Sequence, residues 1–110
     1  MSKPITLAKA HKYHATATIV DGIRFPSKKQ ARRYSELRFL EKSKLISRLA
    51  LEPRYAIVVN EQHICDYVAD FKYVDITGEV IEDVKGVKTP VYRLKKKLVE
   101  AIYGITVKET

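Results

Sequence analysis

The sequence predicts a single mixed α/β domain over residues 1–110, with an N-terminal β-hairpin, a helix, three strands, a second helix and a closing strand. Three observations predict this class. Two segments carry helix-capping residues and contain no internal helix breaker. The segments between them are rich in β-branched and aromatic residues. The length suits one compact domain with a single modest core.

The N-terminal part of the chain predicts an arm and a hairpin. Residues 1–15 are basic and polar, so we expect a flexible basic arm there. The dipeptide Asp21-Gly22 favours the two-residue turn of a β-hairpin. Thr18–Val20 is therefore predicted to pair with Ile23–Phe25.

The first helix is predicted over residues 28–44, because Ser27 can act as its N-cap and Gln30 completes a capping box. The segments that follow are apolar and rich in β-branched and aromatic residues, with a turn at Thr77-Gly78. Three strands are predicted from them, at Arg54–Asn60, Ile64–Asp75 and Glu79–Lys85.

The second helix is bounded by clear end signals. Thr89 is a good N-cap, Pro90 suits the first helical position, and Gly104 is a typical C-terminal stop after Tyr103. Ile105–Lys108 is predicted as the closing strand. Spacing along the helix predicts a buried stripe of Val91, Leu94, Leu98 and Ile102.

The charge distribution points to an anionic partner. The formal net charge is +8, but residues 49–83 carry 8 acidic residues against 2 basic ones, and both flanking segments are strongly basic. Nucleic acid is the leading candidate partner. Carboxylates between basic segments would repel phosphates unless they hold divalent cations. The alternative is that most of these acids are solvated strand and turn residues.

The compartment follows from what the sequence lacks. Cys65 is the single cysteine, residues 1–6 do not resemble a secretory signal, and no apolar run approaches the roughly 20 residues that span a bilayer. We expect a cytoplasmic protein without a membrane partner.

Asp70, Asp83 and Lys85 are the candidate catalytic residues. Asp83 and Lys85 are two apart on a predicted strand and project from one face, while Glu82 and Val84 project from the other. If the second and third strands pair across their turn, Asp70 comes close to the same point.

Such a cluster suits Mg²⁺ or Mn²⁺, with Asp70 and Asp83 as the metal ligands, since Mg²⁺ commonly takes one or two carboxylates and completes its shell with waters and phosphates. Lys85 would orient or help deprotonate the attacking water and offset charge in the transition state. The alternative on these residues alone is a cross-strand salt bridge between Lys85 and an acid.

An acid followed about a dozen residues later by the triplet Asp83-Val84-Lys85 resembles the PD-(D/E)XK nuclease signature. A wider resemblance is to small phage and prophage proteins of domain-of-unknown-function family 1064, and it covers nearly the whole chain beyond Lys12. It is carried by the passages Gly22 to Phe25, Ser27-Lys28, Ala31 to Tyr34, Leu37, Leu51 to Arg54, Tyr67 to Phe71, Glu82 to Gly86, Lys88-Thr89 and Lys95 to Leu98.

This resemblance implies a restriction-endonuclease-like core, in which a helix, three antiparallel strands, a second helix and a parallel strand surround a metal site. It also implies a further acid on the first helix, within Ser-x-x-Glu. Here that position is Gln30, while Glu36 lies about 100° from Leu37 around the helix. Gln30 could hold a metal-bound water through its amide oxygen, Glu36 could substitute, or the chain could be less active than its relatives.

Basic residues on the two helices are the candidate DNA contacts, although a solvated basic face is the alternative for each of them. They are Lys28, Lys29, Arg32, Arg33, Lys88, Lys95, Lys96 and Lys97.

We therefore expect a Mg²⁺-dependent DNA endonuclease, with recombination or replication intermediates of phage DNA as its expected substrates. The alternative is a non-catalytic DNA- or RNA-binding module of the same fold. A homodimer would suit an enzyme that cuts both strands.

Overall fold

The computed structural model describes residues 17–110, so the predicted arm at residues 1–15 lies outside the described part of the chain. Contacts between Cα atoms group the chain into two units, with the boundary between Glu36 and Leu37. Within residues 17–110 no helix combines the length and the apolar character needed to cross a bilayer.

The first unit begins with the predicted hairpin. β1 (Thr18–Val20) pairs antiparallel with β2 (Ile23–Phe25), with Thr18 opposite Phe25. The turn residues Asp21 and Gly22 both have positive φ, of 53° and 76°. Two positive φ values are what the common two-residue hairpin turn requires, so the Asp-Gly prediction is confirmed.

The helix α1 (Lys28–Lys42) begins where its capping residues predict and ends two residues earlier than expected. The backbone N–H of Gln30 donates to Ser27 Oγ at 3.1 Å, which satisfies one of the otherwise unpaired N–H groups of the first turn. The ring of Tyr34 packs 5.0 Å from that of Phe25 on β2. The N-cap role predicted for Ser27 is therefore confirmed.

The second unit contains a four-stranded sheet, a two-stranded ribbon and a helix. In chain order the elements are β3 (Ser47–Leu51), β4 (Arg54–Val59), β5 (Gln62–Val68), β6 (Phe71–Asp75), β7 (Gly78–Asp83), α2 (Pro90–Tyr103) and β8 (Val107–Glu109). The sheet order is β3-β6-β7-β8, and β4 pairs with β5 in a separate ribbon. β6 is antiparallel to both of its neighbours, β3 and β7, and β8 joins β7 in parallel after α2.

The prediction of one continuous strand over residues 64–75 is wrong. The structure contains two strands there, β5 and β6, with a break at Ala69 and Asp70. The Ala69 N–H donates to the Pro53 carbonyl at 3.0 Å, and the Asp70 N–H donates to the Glu82 carbonyl at 3.1 Å. The chain therefore leaves the ribbon and enters the main sheet at these two residues. β3 was not predicted.

The buried stripe predicted for α2 is wrong at three of its four positions. Val91, Leu94 and Ile102 are 64%, 60% and 44% exposed. Leu98 packs against the core as predicted, and Val99 beside it is fully buried. The cause is polar anchoring of the helix on the strands. Lys95, Glu100 and Tyr103 bond through their side chains to backbone atoms of β5, β8 and β4, which turns the Val99 face inward.

The core of the second unit lies where α2 meets the ribbon and the sheet. Its buried members are Ile57, Tyr67, Ala69, Ile81, Val99 and Val107. Since Ile81 and Asp83 share a face of β7, this core places Asp83 on the side of the sheet that α2 covers.

Candidate active site

The acid-x-Lys triplet lies at the end of β7. Asp83 is the last residue of the strand and is 1% exposed. The Lys85 ammonium lies 3.1 Å from Asp83 Oδ1, so both side chains reach the same face, as the alternation predicts. Glu82 points the other way, where it accepts a hydrogen bond from Tyr73 Oη at 2.7 Å.

Asp70 reaches the triplet because of the break between β5 and β6. Its backbone N–H bonds to the Glu82 carbonyl, and its Oδ2 accepts the Val84 N–H at 2.7 Å. The Asp83 carboxyl group is close enough to act on Asp70 both as a hydrogen-bonding partner and as a negative charge. The structure therefore brings Asp70, Asp83 and Lys85 together.

The environment of Asp70 disfavours its charged form. Burial is the largest cause, followed by the hydrogen bond and the negative charge of Asp83, and together they raise the Asp70 pKa to about 7. The Val84 N–H and the Lys85 charge oppose this shift without cancelling it. Near neutral pH a substantial fraction of Asp70 is consequently protonated.

Two tyrosines complete the site, and neither was among the predicted site residues. The Tyr67 hydroxyl donates to Asp83 Oδ2, and burial followed by this bond raises the Tyr67 pKa far above its usual value. The Lys85 ammonium lies 4.1 Å from the centroid of the Tyr92 ring, a cation–π contact. The available signal was general, since a buried tyrosine hydroxyl needs a polar partner.

The Tyr92 hydroxyl leads from this site to Glu109 on β8. It donates to Glu109 Oε2 at 2.7 Å, and the ammonium groups of Lys88 and Lys96 lie 3.0 and 3.4 Å from the same carboxylate. The hydrogen bonds from Tyr92 and Lys88 lower the Glu109 pKa to about 2. Glu109 is therefore fully charged at neutral pH.

The other predicted DNA contacts lie in varied settings. Lys95 donates to the Asp66 carbonyl at 3.2 Å, while Lys97 is exposed. On α1, Arg33 pairs with Glu36 at 3.0 Å. The remaining predicted contacts on α1 are exposed, namely Lys28, Lys29 and Arg32.

Gln30 and Glu36, the two candidates for the first-helix position, both belong to the first unit. The Gln30 amide oxygen accepts from Ser27 Oγ at 3.4 Å, and the Glu36 side chain is 54% exposed. A role for either residue beside the carboxyl pair stays a prediction.

The donor set of Asp70 and Asp83 fits a hard divalent cation. Lys85 places one positive charge beside the two carboxyl groups, and a further positive charge would stabilise their ionised form. Between residues 17 and 110 no group of three or more His, Cys, Asp or Glu side chains is arranged to hold a metal. A two-carboxylate site is sufficient for Mg²⁺, which keeps several waters and also binds substrate phosphates.

Comparison with known proteins identifies a family. No curated protein and no solved structure matches the chain. A family model described as "Protein of unknown function (DUF1064)" matches residues 10–109, which is nearly the whole chain. The chain therefore belongs to the DUF1064 family.

Proposed function

We propose that this protein is a metal-dependent DNA endonuclease that hydrolyses phosphodiester bonds with Mg²⁺ or Mn²⁺. The observation that carries the proposal is the contact of Asp70, Asp83 and Lys85 at the end of β7. The element order supports it, because three antiparallel strands, a helix and a parallel strand are what the resemblance to PD-(D/E)XK nucleases implies.

Each residue has a distinct task under this proposal. Asp70 and Asp83 would hold the cation, and the chemistry that a divalent cation would supply there is polarisation of the scissile phosphate. Tyr67 holds the Asp83 carboxylate in one orientation through its hydroxyl. Lys85 places a fixed positive charge beside the pair, where it orients the attacking water and offsets negative charge that develops on the phosphate.

The basic residues favour DNA as the substrate. The net charge of +8 attracts a polyanion, and Lys85, Lys88, Lys95 and Lys96 all lie on or near the side of the sheet that α2 covers. A phage setting, which the family resemblance implies, would make recombination or replication intermediates the natural substrates.

One observation favours a second candidate, a non-catalytic DNA- or RNA-binding module. Both Asp83 carboxylate oxygens already accept from protein donors, Oδ1 from Lys85 and Oδ2 from Tyr67. A carboxylate that only stabilises the fold has this kind of environment. The two candidates differ in whether the protein cuts DNA when a divalent metal ion is present.

A cleavage assay separates them. Supercoiled, single-stranded and four-way-junction DNA are incubated with the protein in Mg²⁺, Mn²⁺ or EDTA. We expect cutting with a metal and none in EDTA, and we expect Lys85→Gln to cut at least about a hundredfold more slowly. Lys72→Gln is the matched control, because Lys72 pairs with Glu79 near the opposite end of β7. Tight binding without cutting under every metal condition would exclude the enzyme and favour the binding module.

A further inference from the structure

A basic cavity of about 340 Å³ lies between α2 and β8. Four of its six lining side chains are cationic and two are carboxylates. They are Lys88, Arg93, Lys96, Lys97, Glu100 and Glu109, which we call the Glu109 cavity.

The two carboxylates of the cavity have different partners. Glu100 Oε2 accepts the Val107 N–H at 2.8 Å, so its charge holds β8 against α2. Glu109 is instead surrounded by side-chain donors, which are the ammonium groups of Lys88 and Lys96 and the hydroxyl of Tyr92. Two ammonium groups and a hydroxyl are also the donors that would hold the non-bridging oxygens of a phosphate.

The cavity adjoins the carboxyl pair. Glu109 is the register partner of Asp83 on the neighbouring strand, and adjacent strands lie about 4.8 Å apart. Tyr92 connects the two places, since its ring contacts the Lys85 ammonium and its hydroxyl bonds to Glu109. A nucleic acid strand with one phosphate at the carboxyl pair would pass the cavity with a neighbouring phosphate.

We propose that the Glu109 cavity is a phosphate-binding subsite for the nucleic acid backbone, and that Glu109 is its resident counterion, which the incoming phosphate replaces as the partner of Lys88 and Lys96. This inference rests on the proposed function for the identity of its ligand, a DNA strand. The Glu109 cavity would be a subsite beyond the carboxyl pair. Glu109 would weaken DNA binding there while it keeps Lys88 and Lys96 in place.

The consequence for binding is electrostatic. Each lysine that already has an internal carboxylate partner releases fewer counterions when it meets a phosphate, so it contributes less to affinity and to salt dependence. Removing the Glu109 charge while keeping its shape should therefore strengthen DNA binding. If Glu109 were purely structural, removing its charge would weaken DNA binding instead, because Lys88 and Lys96 would then be free to move away.

The first test measures binding of a short fluorescein-labelled DNA duplex by fluorescence anisotropy in EDTA, over a series of KCl concentrations. Glu109→Gln is expected to bind about threefold more tightly at low salt and to steepen the dependence of log K on log [KCl] by about one. Glu79→Gln is the matched control, because it removes the same charge from an exposed side chain at the opposite end of β7. Equal behaviour of the two variants, or weaker binding by Glu109→Gln, would overturn the proposal.

A second pair of variants tests the cavity without altering Glu109. Lys97 lines the cavity and is exposed, whereas Lys108 is an exposed lysine on β8 that points away from Glu109. Lys97→Gln is expected to weaken DNA binding about threefold and to reduce the salt slope by about one, with a smaller change for Lys108→Gln. Equal losses in both variants would contradict a subsite at this place.

The outcomes separate this inference from the proposed function. DNA binding in EDTA does not depend on cutting. If Glu109→Gln binds DNA more tightly, with a steeper salt dependence, but the protein never cuts DNA, the subsite is retained and the endonuclease assignment is rejected. If the protein cuts DNA but the Glu109→Gln and Glu79→Gln variants bind DNA equally well, the enzyme assignment is retained and the subsite is rejected.

Discussion

Two lysine–carboxylate ion pairs lie on the same face of β7, one at each end of the strand. At the start, Lys72 lies 3.3 Å from Glu79, and both side chains are largely exposed, at 39% and 52%. At the end, Lys85 lies 3.1 Å from Asp83, whose side chain is 2% exposed. The distances are similar, so the two pairs differ chiefly in their surroundings.

The surroundings explain why only one pair is a candidate site. Water solvates the Lys72–Glu79 pair, and such surface pairs contribute little to stability. The Asp83 pair also includes a second carboxyl group, from Asp70, and a tyrosine hydroxyl, from Tyr67. A strand end next to a change of sheet can therefore hold charges that an open strand surface leaves in solvent.

The largest expected difference between the two ends is in cleavage. Asp83→Asn should cut supercoiled DNA at least about a hundredfold more slowly, because it removes one of the two carboxylates that would bind the cation. Glu79→Gln should cut at the rate of the unmodified protein. A gel-based time course with Mg²⁺ measures both, and parallel loss in the two variants would show that the ends do not differ in function.

Tyr67→Phe tests the buried support of Asp83. It removes a donor from a buried carboxylate, so we expect a loss of about 1–3 kcal/mol in the free energy of unfolding. Tyr103→Phe is the matched control, since Tyr103 is more exposed and donates to the Ala56 carbonyl, and about 0.5 kcal/mol is expected there. Urea denaturation gives both values, and equal losses would mean that the Tyr67–Asp83 bond has no special weight.

Gln30→Glu sharpens the assignment of the first helix. If Gln30 faces the cation, Gln30→Glu should raise the cleavage rate about tenfold, because a carboxylate then takes the place of the amide. Glu36→Gln should then have little effect. The reverse pattern, no gain from Gln30→Glu and a loss from Glu36→Gln, would identify Glu36 as the working acid.

The pH dependence of stability tests the environment of Asp70. Its folded-state pKa of about 7 lies above its unfolded value near 3.8, so the folded state retains a proton that the unfolded state has released. Stability should therefore fall as the pH rises from about 4 to about 7, and Asp70→Asn should flatten this part of the profile. Urea midpoints across that range measure the effect, and identical slopes in the two proteins would contradict it.

The fold could be predicted from the sequence where the signals are local. Asp21-Gly22 specifies the turn of the first hairpin. Thr89, Pro90 and Gly104 mark the two ends of α2, because each has the conformation or the hydrogen bond that its own position in the helix requires. The division of β5 from β6 depends instead on pairing with Pro53 and Glu82, which are distant in sequence, and continuous β-forming residues conceal it. No local pattern marks such a change of sheet.

The candidate site was predicted to a similar extent. Asp83 and Lys85 follow from strand alternation. Asp70 was expected near them from the pairing of neighbouring strands, but it lies in the break between β5 and β6, which was not predicted. The partnership with Tyr67 and Tyr92 depends on how α2 is rotated on the strands. That rotation is set by polar side chains bonding to strand backbone, which a search for apolar stripes does not detect.

The proposed cation-binding pair of Asp70 and Asp83 is tested most directly, and without DNA, by titrating Mn²⁺ into the protein in an isothermal calorimeter. We expect one binding site in the unmodified protein, its loss in Asp70→Asn and Asp83→Asn variants that remain folded by circular dichroism, and its retention in Glu79→Gln. Absence of binding in the unmodified protein, or equal binding in all four proteins, would show that the two carboxyl groups do not bind a cation.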